Sequence, residues 1–396
     1  MGKKIQVISF QSLTGNSGAG MARLGHMLSG ELYKRGMLQH FIIHSKGKFD
    51  TDFPSKPVTR ISRYYLYIIN KLVSIFSIPS YKSRYLQEIL FDWFCQWRLK
   101  KDTDILFSTN PFMKHTFTRA KKLGMLVVLL PGTPEENYIF NIVDEENKKT
   151  GIHATDAYTY KNRLNYYNQS ILHVDKIIAP HPVVLASYNE AKHKAEIVSI
   201  AGHMTPDLKP ITTIEKKDTT FHVGYIAHTV LLKGLHYLLA AWQDINKLGI
   251  TNITLHIGGN ADEPMKHYVD AHFKGLVNVK WHGHVSDIPA FMQQLDLLVV
   301  PSLVDAGPST PLEAAYNSVP SIITDHCGSY ELLTRNKPGC WVIPIRDKDA
   351  IKERILFAYN NRDICKQTGE YARYNVENYS MESFMQELAD YLESKV

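Results

Sequence analysis

Leu297-Leu-Val-Val300 leads into Pro301-Ser-Leu-Val-Asp305-Ala-Gly-Pro-Ser-Thr310-Pro-Leu-Glu313-Ala-Ala-Tyr-Asn-Ser-Val-Pro320 and then into Ser321-Ile-Ile-Thr324. The two short β-branched runs read as buried strands, and between them lie a loop with Gly307 and Pro308 and a helix that begins near Thr310-Pro311. A connection of that length is a crossover rather than a hairpin, so the strands run parallel. Parallel strands need helices on both faces of their sheet.

The same alternation extends in both directions. Strands are expected at Phe221 to Ile226, Ile253 to Ile257, Val277 to Trp281 and Trp341 to Ile343. An earlier series is expected at Ile5 to Phe10, Gln39 to Ile43, Ile105 to Phe107, Leu126 to Leu130 and Lys176 to Ala179. The charged stretch Glu215-Lys-Lys-Asp218 has no apolar period and separates the two series. With 396 residues the chain also exceeds what one core ordinarily serves. The expected fold class is α/β, with two Rossmann-like doubly wound domains over residues 1–208 and 209–378. Phe384, Met385, Leu388, Tyr391 and Leu392 form a helical stripe, so residues 379–396 are expected as a helix that packs back on the N-terminal domain.

Composition narrows the class further. An apolar share of 44% and a charged share of 21% are ordinary for a folded globular chain. The net charge of +6 is too small for this length to indicate a nucleic-acid partner. Cys95, Cys327, Cys340 and Cys365 lack zinc or redox spacing, which fits a reducing cytoplasm. Neither a leader peptide nor a spanning apolar run is expected, since Asn70 and Lys71 interrupt the most apolar stretch.

The segment from Asp305 to Asp325 resembles the sugar-nucleotide site of the retaining glycosyltransferases of family 4, in which an acid is followed at fixed spacing by a Glu at a helix head. Asp305 stands where that family usually has Glu. Lys233-Gly234 before an amphipathic stretch and Lys280-Trp-His-Gly283-His-Val285 are similar to two further parts of the same site. The resemblance implies the GT-B arrangement, two facing domains with a cleft, and retaining, metal-independent transfer from a UDP- or GDP-sugar. No cofactor and no metal are expected. It also implies the roles: Asp305 on sugar hydroxyls, the backbone of Gly307, Pro308, Ser309 and Thr310 along sugar and phosphates, Glu313 on ribose, Gly283 and Val285 on the base side, and Lys233 on the leaving phosphate. His228 occupies the place of the family's Arg and lacks its guanidinium fork. Bland alternatives stand beside these roles: Thr310-x-x-Glu313 is also a capping box, and Lys233 is also an ordinary solvated lysine at a helix start.

In the N-terminal half, Ser12 to Arg23 is a glycine-rich first loop in which Gly18 and Gly20 would close on the donor. A dinucleotide site is disfavoured, because Arg23 replaces the third glycine and the ribose acid is missing from Gln39 to His44. Glu135 falls near the place of the family's catalytic His, and it is also a candidate first-turn helix acid. Asp50-Thr-Asp52 and Asp102-Thr-Asp104 resemble metal-binding triplets, but the second precedes a strand and so lies at the wrong end of the sheet. Residues 60–101 mix cations with aromatics, which suits either a buried core or peripheral contact with the anionic inner face of the plasma membrane. The expected function is sugar transfer to a glycan or lipid-linked acceptor in cell-surface polysaccharide or lipopolysaccharide synthesis. A sugar-nucleotide epimerase and a non-catalytic sugar-nucleotide binder remain open on the same frame.

Overall fold

The computed structural model describes residues 2–10, 20–45, 51–153, 155–205 and 219–394. Its strands are β1 Ile5–Ser9, β2 Leu38–Ile43, β3 Ser55–Pro57, β4 Ile105–Ser108, β5 Leu126–Leu129, β6 Lys176–Ala179, β7 Glu196–Ser199, β8 Phe221–Ile226, β9 Ile253–Gly258, β10 Val279–Gly283, β11 Leu297–Val300, β12 Ser321–Thr324 and β13 Cys340–Ile343. They form two sheets, ordered β3-β2-β1-β4-β5-β6-β7 and β10-β9-β8-β11-β12-β13. Every paired neighbour is parallel. Both orders are doubly wound, and the fold is two Rossmann-like α/β sheets.

The chain divides into two compact units. The first holds Met1–Phe140, Thr155–Met204 and Ser380–Val396, and the second holds Asn141–Ala154 and Thr205–Tyr379. Within the first unit, the helix Met381–Ser394 buries Phe384, Met385, Leu388 and Leu392. Phe384 lies so close to Gly202 that a Cβ there would come within 2.2 Å of its ring. Arg35 adds an ion pair to Asp390 at 2.6 Å. In the second unit, Trp242, Leu238, Leu239 and Ile245 of the helix Leu235–Asn246 pack with Val223, Leu255 and Val299 of the sheet. Leu312, Ala315, Ile323 and Val376 belong to a second core cluster of that unit.

The strand expected at Val277 to Trp281 lies at Val279–Gly283 instead. Asn278 adopts φ 57°, a left-handed conformation that extended strand cannot include. Strands β3 and β7 were not expected from the sequence. Both are sheet edges: β3 has three residues and ends in Pro57, and β7 begins with an exposed Glu196 and has no fully buried residue. Edge strands carry this chemistry in place of a long apolar run. Among the described residues no helix is long and apolar enough to cross a membrane.

Candidate functional site

In the second unit the chain proceeds from β8 outward through β9 to β10, then returns to the other side of β8 to form β11, β12 and β13. The loops that leave β8 and β11 therefore diverge, and ligands of such sheets bind in the crevice this reversal opens at the carboxyl ends. Lys233 and Asp305 stand on those two loops.

The β8 loop ends in a tight turn, Leu231–Lys233, followed by Gly234 at φ 68°. A Cβ at Gly234 would sit 1.9 Å from the Pro301 carbonyl oxygen, so both the backbone sign and the close approach require glycine. The Leu303 amide donates to the Leu232 carbonyl at 2.8 Å, which ties the β11 loop to the same turn. Lys233 Nζ makes an ion pair with the Asp305 carboxylate, and both side chains keep partial solvent access, 27% and 17%. Asp305 is held by its backbone as well: its amide donates to the His326 carbonyl at 2.9 Å and its carbonyl accepts from the Gly328 amide at 3.0 Å. Three loops, after β8, β11 and β12, thus fix one cation and one carboxylate.

Beyond Asp305, Gly307 and Ser309 are exposed. Pro308 is half-buried, and its carbonyl accepts from Ser329 Oγ at 2.7 Å. The helix begins at Thr310, runs to Tyr316, and has Ser309 as its cap with no side-chain capping bond. The capping box Thr310-x-x-Glu313 does not form, because Thr310 is already inside the first turn and the Glu313 amide donates to the Ser309 carbonyl at 2.8 Å. Glu313 keeps partial access; burial raises its carboxyl above the ordinary value, against a lowering hydrogen bond with Ser309.

His228 is exposed. The next residue zips the β8 loop to the β9 loop: the Thr229 amide donates to the Asn260 carbonyl at 2.9 Å, and the Asp262 amide donates to the Thr229 carbonyl at 3.1 Å. Gly259, at φ 95°, leaves no room for a side chain, since its Cβ would meet the Ala227 carbonyl oxygen at 1.8 Å. Its amide donates to the Gly283 carbonyl at 2.6 Å, and Val285 packs over Gly258. Gly283 and Val285 are therefore joined to the β8 loop through Gly258 and Gly259. Sequence reasoning missed Thr229 and Gly259, although the Gly258-Gly259 pair after an apolar run was a readable signal of close backbone approach.

In the first unit, Gly20 at φ 60° precedes the helix Met21–Lys34, while Gly18 and the rest of residues 11–19 lie outside the described residues. Glu135 is 4% exposed. Its carboxylate accepts from the Tyr138 amide at 2.8 Å and from Asn137 Nδ2 at 2.6 Å, the geometry of an acid that caps the helix Glu136–Thr150. Asp102 and Asp104 hold Lys4, through Nζ at 2.9 Å and the backbone amide at 2.7 Å, ahead of β1 and β4. Asp50 lies outside the described residues.

The segment 60–101 separates into two kinds of helix. Ser80–Cys95 buries Ser83, Glu88, Phe91, Asp92 and Cys95, and its Arg84 pairs with Glu88 at 2.7 Å. On and beside Ser62–Ile75, by contrast, Ile61, Tyr64, Ile68, Leu72, Ile75 and Phe76 are 43–72% exposed. Positions 61, 64, 68, 72 and 75 fall on one helical stripe, and the exposed Arg60 and Lys71 flank it.

Residues 207–375 match the family model of glycosyl transferases group 1. The chain is 24% identical over 261 residues to the putative glycosyltransferase EpsD of Bacillus subtilis, covering 61% of this chain and 67% of that protein. It is 28% identical over 170 residues to the capsular polysaccharide biosynthesis glycosyltransferase CapM of Staphylococcus aureus, covering 42% and 44%. The fold is similar to that of Anabaena HepE, solved in complex with UDP, with a TM-score of 0.61, 14% identity and coverage of 99% and 100%.

Proposed function

We propose that this chain, a group 1 glycosyl transferase by residues 207–375 and by its two Rossmann-like sheets, moves a sugar from a UDP- or GDP-sugar to a glycan or lipid-linked acceptor of cell-surface polysaccharide synthesis. The observation that carries the reading is the Lys233–Asp305 pair at the point where the second sheet reverses. A nucleoside diphosphate sugar presents hydroxyls beside a doubly charged diphosphate. A carboxylate and an ammonium fixed side by side, both partly solvated, meet those two needs. The relative named for capsular polysaccharide biosynthesis, and the UDP in the complex of a protein of similar fold, support the donor and acceptor classes.

In this reading the donor diphosphate takes the place of Asp305 at Lys233, and Asp305 turns to the sugar hydroxyls. Glu313, uncharged more readily than an ordinary carboxyl, hydrogen-bonds the ribose hydroxyls. Gly283 and Val285 line the base side, and the Gly307 to Thr310 backbone follows the sugar and phosphates. The bond from the anomeric carbon to the phosphate oxygen breaks and leaves an oxocarbenium-like sugar. The acceptor oxygen bonds to that carbon on the face just vacated, and its proton passes to the departing diphosphate, so configuration is retained. Lys233 stabilises the charge that grows on the phosphate, a preorganised electrostatic contribution. No step is assigned to Glu135, whose carboxylate is engaged at the helix start. His228 is placed on the donor side as a partial substitute for a guanidinium.

The first unit takes the acceptor, and the exposed stripe on Ser62–Ile75 contacts an anionic membrane surface peripherally. Incubation with labelled nucleotide sugars and a lipid extract tests the reaction. Label in the lipid or glycan fraction is expected. Epimerised donor, or intact donor retained by the protein, would replace the reading with one of its two rivals.

A further inference from the structure

The segment Asn141–Ala154 belongs to the second unit although it precedes that unit's sheet in sequence by some distance. Its Glu146 is completely buried. Glu146 Oε1 accepts from Tyr237 Oη at 2.8 Å and pairs with His236 Nε2 at 3.1 Å. Its other oxygen accepts from Arg346 Nε at 2.8 Å. Arg346, in the loop after β13 at φ 63°, also donates to the Ile142 carbonyl at 3.2 Å and pairs with Glu145 at 2.9 Å. Lys149 Nζ donates to Tyr237 Oη at 2.9 Å. Burial alone would raise the Glu146 carboxyl, but hydrogen bonds from His236, Tyr237 and Arg346 outweigh it and bring the pKa down to about 2. A buried carboxylate held this tightly fixes whatever it touches, because release would strand charges out of water.

What it touches is the first turn of the helix Leu235–Asn246. His236 and Tyr237 are the second and third residues of that helix, Gly234 is its cap, and Lys233 immediately precedes the cap. The Tyr237 amide donates to the Gly234 carbonyl at 3.0 Å, so the clamp on residues 236 and 237 reaches the turn that aims Lys233.

We propose that Glu146 is a positioning residue for the diphosphate site: it locks the head of the helix Leu235–Asn246 to the loop after β13 and thereby sets where Lys233 presents its ammonium. The proposal rests on the donor-site reading above. It assigns to residues 141–154 a part in donor binding that neither their composition nor the family match over residues 207–375 includes.

A double-mutant cycle tests it on the full chain. UDP, GDP and ADP are titrated calorimetrically into the wild type, Glu146→Gln, Lys233→Met and the double variant, with melting temperatures measured alongside. Glu146→Gln is expected to weaken the preferred nucleotide about tenfold, and to weaken it no further once Lys233 is already Met, since the effect travels through Lys233. Glu146→Asp, which keeps the charge, should recover part of the loss. A tenfold loss that persists undiminished in the Lys233→Met background, or nucleotide affinity unchanged by Glu146→Gln while Lys233→Met abolishes it, would overturn the positioning role and leave the donor site standing. Unchanged affinity in Lys233→Met would instead overturn the donor-site reading itself. Should Glu146→Gln not fold, Tyr237→Phe removes one bond of the clamp and carries the same cycle.

Discussion

The two sheets share one strand order, apart from a seventh strand at the edge of the first, yet the loops at their carboxyl ends hold charge differently. In the second unit the loops after β8 and β11 place an ammonium and a carboxylate against each other with solvent access to both. In the first unit the acidic side chain singled out after β5, Glu135, caps its own helix. The next residue, Glu136, is buried in an ion pair with Arg163 at 3.0 Å, and Arg163 also reaches Glu88 at 2.8 Å. A common topology therefore supplies the place for a ligand, while the chemistry depends on whether the paired charged groups there keep solvent access or are buried. On this comparison the proposed donor chemistry is assigned to the second unit, where the charged pair keeps solvent access.

The comparison can be broken most directly at Lys233. Lys233→Met should lower kcat/KM by roughly 10²- to 10³-fold, the range for loss of one preorganised charge-stabilising group, with the melting temperature little changed. Steady-state kinetics alongside thermal melts check this. Asp305→Ala should cost roughly tenfold to a hundredfold, since a charge-assisted bond is worth about 1.5–3 kcal/mol, and should appear mainly as a raised KM for the donor sugar. Glu135→Gln should leave the donor KM unchanged and lower stability by about 1 kcal/mol, as expected of a weakened helix cap. A hundredfold loss of kcat in Glu135→Gln would erase the distinction between the units.

A pH titration sharpens the same contrast within the second unit. Glu146 has its pKa depressed from 4.5 to about 2, so the stability it contributes is complete above pH 4.5 and is lost as the pH falls toward 2. Thermal melts between pH 6 and roughly pH 3 should show a fall for the wild type that is shallower in Glu146→Gln. The smallest expected effect concerns the first unit's surface. Replacing Ile68, Leu72 and Ile75 with Ser should reduce co-sedimentation with anionic vesicles while transfer to a water-soluble acceptor is unaffected. Equal sedimentation of both proteins would count against membrane contact through that stripe.

Much of this arrangement was legible because parallel strands are buried on both faces and so read as short apolar runs: β6, β8, β11 and β12 coincide with their expected bounds. The spacing from Asp305 to Glu313 and the Lys233-Gly234 doublet could be read because each lies within one short, continuous stretch of chain. Edge strands β3 and β7 were not legible, since they lack the apolar run that burial demands. The helices Ser62–Ile75 and Ser80–Cys95 each set two cations among several aromatics, and their packing is what separates an exposed stripe from a core face. The Glu146 clamp was invisible for another reason: its partners lie at residues 236, 237 and 346, and nothing local to the helix Glu136–Thr150 signals them. Nor did spacing indicate that Lys233 and Asp305, read as having separate duties, hold each other.

The loops after β8 and β11 are proposed to form a nucleoside diphosphate site around Lys233 and Asp305. Calorimetric titration of the wild-type chain with UDP, GDP and ADP tests it without knowledge of sugar or acceptor. One nucleotide should bind in preference to the others, and Lys233→Met should weaken that binding by at least about tenfold, the loss of one charge-assisted contact. Absence of heat with all three nucleotides, or equal affinity in Lys233→Met, would contradict the account.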